Sequence, residues 1–315
     1  MNILEKRDYY KPFEYQWAYD LYRDQQLVHW TKDEIKLSED LQNWNFDLSV
    51  TEKNVIGGIL KGFVQMEVLI GDYWRRVSEW FPKPEIQMMA STFSYFENIH
   101  IDNYALLNEE LNLTDFKSFN EDSDTAAKLA QFIDVKDGSL EDKARSLAIF
   151  SAFGEGVLVF SSFAVLLSFQ RENLMKGLGQ IISFSIRDEN THSIGGCKLF
   201  NTICEENPGL LDTIKDDIYK SAEYVEAIEA QFIDNLFFNN PIRTLDKDDL
   251  KNFIRARINL KLKDIGLQGI FAINEVSYNN MQWFYMLSSG REFSDFFSTR
   301  VTEYTKYEID PSDIF

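Results

Sequence analysis

The sequence predicts an all-α protein built as one helical bundle, and three observations predict it. Apolar residues recur at helical spacing over long stretches, alternating strand patterns are scarce, and no proline occurs between Glu85 and Asn207. Long helices are therefore permitted through the middle of the chain. With 315 residues, 44% of them hydrophobic and 15% aromatic, the chain can bury a large core. Disordered and fibrous classes are excluded.

The first 30 residues carry Tyr9, Tyr10, Phe13, Tyr15 and Trp17 and read as an extended arm that lays its aromatics on the bundle. A first long helix is predicted over 51–81, with Thr51 as its N-cap and Pro82 and Pro84 closing it. A second follows over 84–111, a third over 139–172, and a fourth over 174–206, stopped by Asn207, Pro208 and Gly209. Further helical patterns cover 209–235, 244–264 and 276–288. Residues 1–290 are thus expected to form the helical domain. Residues 291–315 are polar and without a clear period, and are expected to form a flexible C-terminal tail.

Lys+Arg 32 against Asp+Glu 51 gives a net charge of -19, a field that repels phosphate backbones and anionic headgroups. Nucleic acid and membranes are not expected as partners. Cys197 and Cys204 form neither a CxxC nor a disulfide framework, and the N-terminal stretch has no apolar signal region, so a reducing cytoplasm is expected. Between Leu147 and Phe169 the single charged residue is Glu155. A buried core helix holding one carboxylate accounts for this better than a membrane span, and that carboxylate then needs a reason to be inside.

Two of the three histidines complete a Glu-x-x-His: Glu97 with His100 and Glu189 with His192. At i and i+3 a carboxylate and an imidazole share one helix face and can hold the same ion. Each of the other two core helices supplies a Glu in an apolar run, Glu67 in FVQMEVLIG and Glu155 in SAFGEGVLVF, expected as the bridging carboxylates. The order Glu, ExxH, Glu, ExxH is the pattern of a four-helix dinuclear carboxylate site. Four buried carboxylates would be intolerable alone, whereas two divalent ions match their charge. Asp72 competes with Glu67, but five residues place it about 140° round the helix, so the site takes Glu67. Gly154 and Gly156 flank Glu155, either to leave room at the ions or to let helices pack closely. Asp188 stands about 100° from Glu189 and is better placed to orient a ligating imidazole than to bind metal.

On these residues the chain resembles the small, radical-generating subunit of class I ribonucleotide reductase over nearly its whole length. Tyr104, one turn after His100, matches the family's oxidisable tyrosine; Asp188 in IRDENTH matches its Arg-Asp-Glu-x-x-His segment; Trp30 in VHWTKDEIKLSED matches its tryptophan before an acidic cap. The ending IDPSDIF is similar to the peptide that docks into the large subunit. The resemblance implies a ferritin-like four-helix-bundle core with additional helices, and a homodimer working with the large catalytic subunit, which reduces ribonucleotides to deoxyribonucleotides. It implies a route from metal to surface through His100, Asp188 and Trp30, with Arg187 as charge partner to Asp188. Tyr307, or alternatively Tyr304, would bridge to the large subunit.

Two departures bear on the metal. Glu67 stands where iron-tyrosyl members usually carry Asp, and Ser185 stands where apolar bulk is expected beside Tyr104. The combination most resembles the dimanganese subclass, class Id, in which the metal pair stores the oxidising equivalent and the tyrosine is a spectator. Two Mn ions are therefore preferred, with two Fe or mixed Mn/Fe as alternatives. The rival reading is a ferritin-like dimetal ligand-binding oxidase. Proteins of that kind use a tyrosine five residues before the third carboxylate, and here that position is Phe150.

Overall fold

A computed structural model describes residues 2–115, 138–238 and 242–288 of the chain. The tail 291–315, with Tyr304 and Tyr307, lies outside the described residues. Among those described there is no strand. The helices are α1 (Gln16–Leu27), α2 (Ser38–Gln42), α3 (Val50–Trp80), α4 (Pro84–Glu110), α5 (Leu140–Ala148), α6 (Phe160–Ser168), α7 (Lys176–Glu206), α8 (Leu210–Phe237), α9 (Lys247–Asp264), α10 (Glu275–Asn280) and α11 (Gln282–Ser288). A π-helical segment, Ile149–Leu158, joins α5 to α6. Helix α3 packs along α4, and α7 lies against the π segment and α6, with α8 and α9 covering the other side of the π segment.

Local chemistry sets the boundaries. The N-cap of α3 is Ser49 and not Thr51: its Oγ accepts from Glu52 N at 3.2 Å, and Glu52 Oε2 accepts from Ser49 N at 2.9 Å. This capping box outcompetes a cap two residues later, because it satisfies two orphan amides at once. Pro84 occupies the first turn of α4, where its missing N–H costs nothing. Gly209 precedes α8 at φ 93, a conformation open to glycine. Asp246 caps α9 by accepting from the amides of Asp248 and Asp249 at 2.8 and 3.1 Å.

Three expectations are corrected. The expected extended arm contains α1, which fully buries only Ala18 and Gln25 and lays Leu21 and Tyr22 between them against the core. Residues 276–288 form two helices, α10 and α11, with Met281 as the C-cap of α10 between them. The single helix expected over 139–172 changes register: α helix, then ten residues of π helix, then α helix, then a 3-10 turn over Phe169–Glu172. Wider π turns recur at functional sites, and Glu155 sits in this one. Two stretches, Val50–Trp80 and Leu140–Glu172, are apolar enough to cross a membrane, but 67% and 94% of their most apolar windows are buried inside the fold.

Charge fixes the N-terminal residues to the bundle. Both terminal nitrogens of the buried Arg7 donate to the buried Glu85 of α4, which also accepts from the amides of Glu14 and Tyr15 at 2.9 and 3.1 Å. Lys83 Nζ pairs with Glu14 at 2.9 Å, and Tyr15 Oη donates to Glu206 Oε1 at 2.6 Å. Burial alone would raise the Glu85 carboxyl; Arg7 and the backbone amides outweigh it and hold it below the usual carboxylate range. Lys83 and Arg7 lower Glu14 against its smaller burial cost. Arg7→Ala, which strands the Glu85 charge inside, is expected to cost about 3–5 kcal/mol in urea unfolding at pH 7. Both carboxyls are depressed in the folded state, so their contribution is full above the ordinary carboxylate range and is lost as pH falls through the folded values. The gap between wild type and variant should therefore narrow in acid.

Candidate metal centre

Four elements each bring their carboxylates to one buried place. Helix α3 supplies Glu67, α4 supplies Glu97 and His100, the π segment supplies Glu155, and α7 supplies Glu189 and His192; all six are 0% exposed. Their donor atoms form two overlapping groups, each within 4.8 Å: Glu67, Glu97, His100 and Glu189, and then Glu97, Glu155, Glu189 and His192. The shared carboxylates are thus Glu97 and Glu189, the glutamates of the two ExxH pairs. Glu67 and Glu155, expected from sequence to bridge, each belong to one group only. Spacing along single helices cannot show this, because it depends on how closely α4 and α7 approach across the bundle.

His100 Nδ1 lies 3.1 Å from both Glu97 Oε2 and Glu189 Oε1, and 3.7 Å from Glu67 Oε2. His192 Nδ1 lies 2.7 Å from Glu97 Oε1 and 3.7 Å from Glu189 Oε2. The two imidazole rings are stacked with centroids 6.3 Å apart. Both oxygens of Glu67 and of Glu189, Oε1 of Glu97, Oε2 of Glu155 and both nitrogens of His192 are buried without a hydrogen-bond partner. Orphaned buried polar atoms at this density are costly in a folded protein. An oxygen-rich set with two imidazoles fits a pair of divalent first-row ions, which would satisfy them together.

The residues around the cluster orient it. With His100 Nδ1 facing the carboxylates, its Nε2–H donates to Asp188 Oδ2 at 3.3 Å, and the same oxygen accepts from Trp30 Nε1 at 2.8 Å. Arg187 Nε donates to Asp188 Oδ1 at 3.1 Å and its Nη2 to Val28 O at 2.9 Å, which ties the stretch before Trp30 to α7. Tyr104 Oη donates to Ser185 Oγ at 2.7 Å, both fully buried. Where apolar bulk was expected, Ser185 gives the phenol a partner. Burial, and then the Glu67 charge, push the Tyr104 phenol well above its ordinary value. Asp72 points outward and pairs with Arg75 on the surface, as the 140° offset requires.

Sequence reading missed Trp74, whose Nε1 donates to Glu155 Oε1. That bond holds one oxygen and leaves Oε2 free to face the cluster. The signal was present: Trp74 follows Glu67 by seven residues, two helical turns along one face. The flanking Gly156 serves close packing, since a Cβ there would lie 2.8 Å from Lys261 Cδ.

Without metal the cluster retains protons. Burial, and then neighbouring carboxylates, push Glu67 and Glu155 well above the carboxylate range. Burial works against a charged His100 or His192, but the surrounding carboxylates outweigh it, raising His100 well above its usual value and His192 to about 9. Burial would raise Glu189 too, yet Glu155, His100 and His192 together bring it down. Since ligands bind metal deprotonated, loading is expected to release protons, and apparent affinity should rise with pH. Calorimetric titration in buffers of different ionisation enthalpy measures the release; an observed heat independent of buffer would contradict it.

Comparison with known proteins agrees in extent. The family described as "Ribonucleotide reductase, small chain" matches residues 7–279. The probable ribonucleoside-diphosphate reductase small subunit 048L of Invertebrate iridescent virus 3 is 32% identical, covering 98% of this chain and 87% of its own. The crystal structure of Streptococcus sanguinis dimanganese(II)-NrdF superposes with a TM-score of 0.75 at 19% identity, over 88% of this chain and 99% of that one. The Saccharomyces cerevisiae Rnr4 homodimer gives 0.70 at 18%, over 90% and 92%. At these identities the solved structures establish the shared all-helical fold.

Proposed function

The chain belongs to the ribonucleotide reductase small-chain family, and from that premise we propose that it is the radical-generating subunit of a ribonucleoside-diphosphate reductase. The observation that carries this is the doubled donor group sharing Glu97 and Glu189, wired through Asp188 to Trp30. In the proposal Glu67, Glu97, His100 and Glu189 hold one ion, and Glu97, Glu155, Glu189 and His192 hold the other. The metal pair supplies one-electron oxidising chemistry. Asp188 keeps the His100 proton on Nε2, so that Nδ1 stays available as a ligand. Trp30 is the oxidisable side chain reached from His100 through Asp188, and its indole proton has Asp188 as acceptor.

The oxidising equivalent then passes outward from Trp30 to a large catalytic subunit by proton-coupled electron transfer, the electrons moving inward, and there ribonucleotides are reduced to deoxyribonucleotides. Tyr307 or Tyr304 of the tail carries the equivalent across the interface. The working subunit is a homodimer, an arrangement named for the similar yeast Rnr4 structure. Two free cysteines suit a reducing cytoplasm.

The favoured metal is manganese, in a dimanganese subclass. Glu67 in the first position and the similarity to a dimanganese structure support it, as does Tyr104, whose proton rests on Ser185, a neutral hydroxyl and a weak base. The dimetal oxidase reading draws no support from Phe150, which stacks on Tyr73 with ring centroids 3.6 Å apart and has no phenol to cross-link. Reconstitution with Mn or Fe separately, elemental analysis and EPR test the choice. Two Mn per chain, a coupled dimanganese signal and turnover only with Mn are expected. Two Fe with a sharp tyrosyl signal would instead make Tyr104 the radical site.

A further inference from the structure

Helix α9 contributes no metal-ligating side chain, yet it carries a buried cation that hydrogen-bonds residues adjacent to two of the ligands. Arg257 is 3% exposed, and no ion pair joins it to a carboxylate among the described residues. Its Nε donates to Gly156 O at 2.9 Å, and its Nη2 reaches Asn190 Oδ1 at 3.4 Å. Gly156 follows Glu155 in the chain, and Asn190 follows Glu189. The guanidinium carbon sits 3.3 Å from the Phe160 ring centroid, just past the end of the π segment. Burial brings Arg257 down to about 10, opposed mainly by the Tyr285 phenol, so it remains charged at neutral pH.

A buried arginine without a carboxylate is expensive, and a leucine or methionine would fill the same volume. Its cost is explained if the fork geometry is needed. One guanidinium joins two different elements, through the Gly156 carbonyl of the π segment and the Asn190 side-chain oxygen of α7. One turn further along α9, the aliphatic part of Lys261 closes against Gly156, while its Nζ is held 3.0 Å from Asp264. Beside the rings of Phe160, Phe253 and Tyr285, the contacts of Arg257 fall on Gly156 and Asn190, the neighbours of Glu155 and Glu189. Nothing comparable from α9 reaches Glu67 or His100.

We propose that Arg257 is a positioning residue for one half of the dimetal site: it sets the distance between Glu155 and Glu189 and so governs the ion held beside His192. This rests on the metal-centre reading. Arg257→Met keeps volume and removes the fork. Its metal-free thermal midpoint is expected to stay near that of wild type, because an unpaired buried charge is removed with little loss of packing. One Mn(II) per chain should bind as in wild type, while the second binds about 10- to 100-fold more weakly, the range for losing an orienting contact behind a ligand. EPR of the loaded variant should accordingly change from a coupled pair to an isolated ion. Asn190→Ala, which removes one arm of the fork, should weaken the same position to a smaller degree, and it serves if the Met variant does not fold. Two ions bound with wild-type affinity in both variants, or equal weakening of both ions, would overturn the proposal. A wild-type protein that takes up no pair of ions would overturn the metal centre itself, a separate result.

Discussion

Glu189→Ala protein is expected to hold neither ion, whereas Glu67→Ala protein should keep one. Glu189 belongs to both donor groups, and Glu67 belongs only to the group around His100. Removing Glu67 leaves Glu97, Glu155, Glu189 and His192 intact for a single ion. By the same reasoning Glu155→Ala should retain the ion beside His100, and Glu97→Ala should resemble Glu189→Ala. All four variants should lose turnover to background, because a lone ion cannot do the work of a coupled pair. Metal content after gel filtration separates them.

Unfolding is the obvious competing cause of lost metal, and the charge balance argues against it. Removing the Glu189 carboxylate gives up its 3.1 Å approach to His100 Nδ1 but relieves crowding among four buried acids, and a glutamine keeps a side-chain oxygen for the imidazole. Glu189→Gln, which keeps the volume, should therefore melt close to wild type when metal-free. Wild type should gain about 2.7 kcal/mol for an ion present at a hundred times its Kd, and the Glu189 variants should gain nothing. A Glu189 variant that still bound two ions would contradict the bridging geometry.

The sequence made the six cluster residues readable because each of their signals is local. Two ExxH pairs need only helical spacing, and an acidic residue in an apolar run stands out wherever the run folds. The same logic turned Asp72 outward, where it pairs with Arg75, and made Asp188 an acceptor for a ligating imidazole; that the imidazole is His100 and that Trp30 shares the acceptor came from the resemblance. What sequence alone missed depends on approach between elements. Which glutamates are shared follows from the α4 to α7 distance, and the π turn that carries Glu155 has the apolar composition of any buried helix. Helix α1 was missed because its packed face, Ala18, Leu21, Tyr22 and Gln25, is short and ends on a polar residue among the arm's many aromatics. The Arg7 and Glu85 pair spans 78 positions, and a buried Arg in a polar-looking arm gives no periodic signal.

Trp30→Phe is expected to leave metal loading intact and to abolish turnover with the large subunit. Trp30 is 2% exposed, its ring centroid 5.1 Å from Phe184 and 6.0 Å from His100, and phenylalanine preserves most of that packing. What disappears is the N–H given to Asp188 Oδ2 and a side chain that can be oxidised. Asp188 still accepts from His100 Nε2 and from Arg187 Nε, so the imidazole keeps its orientation and the ions their ligand. Asp188→Asn is the contrast. It weakens the acceptor behind His100, so it should lower metal affinity about 10- to 100-fold as well as turnover. A Phe variant that loaded metal and turned over normally would leave Trp30 as packing alone, and the route outward from His100 would have to leave Asp188 by another side chain.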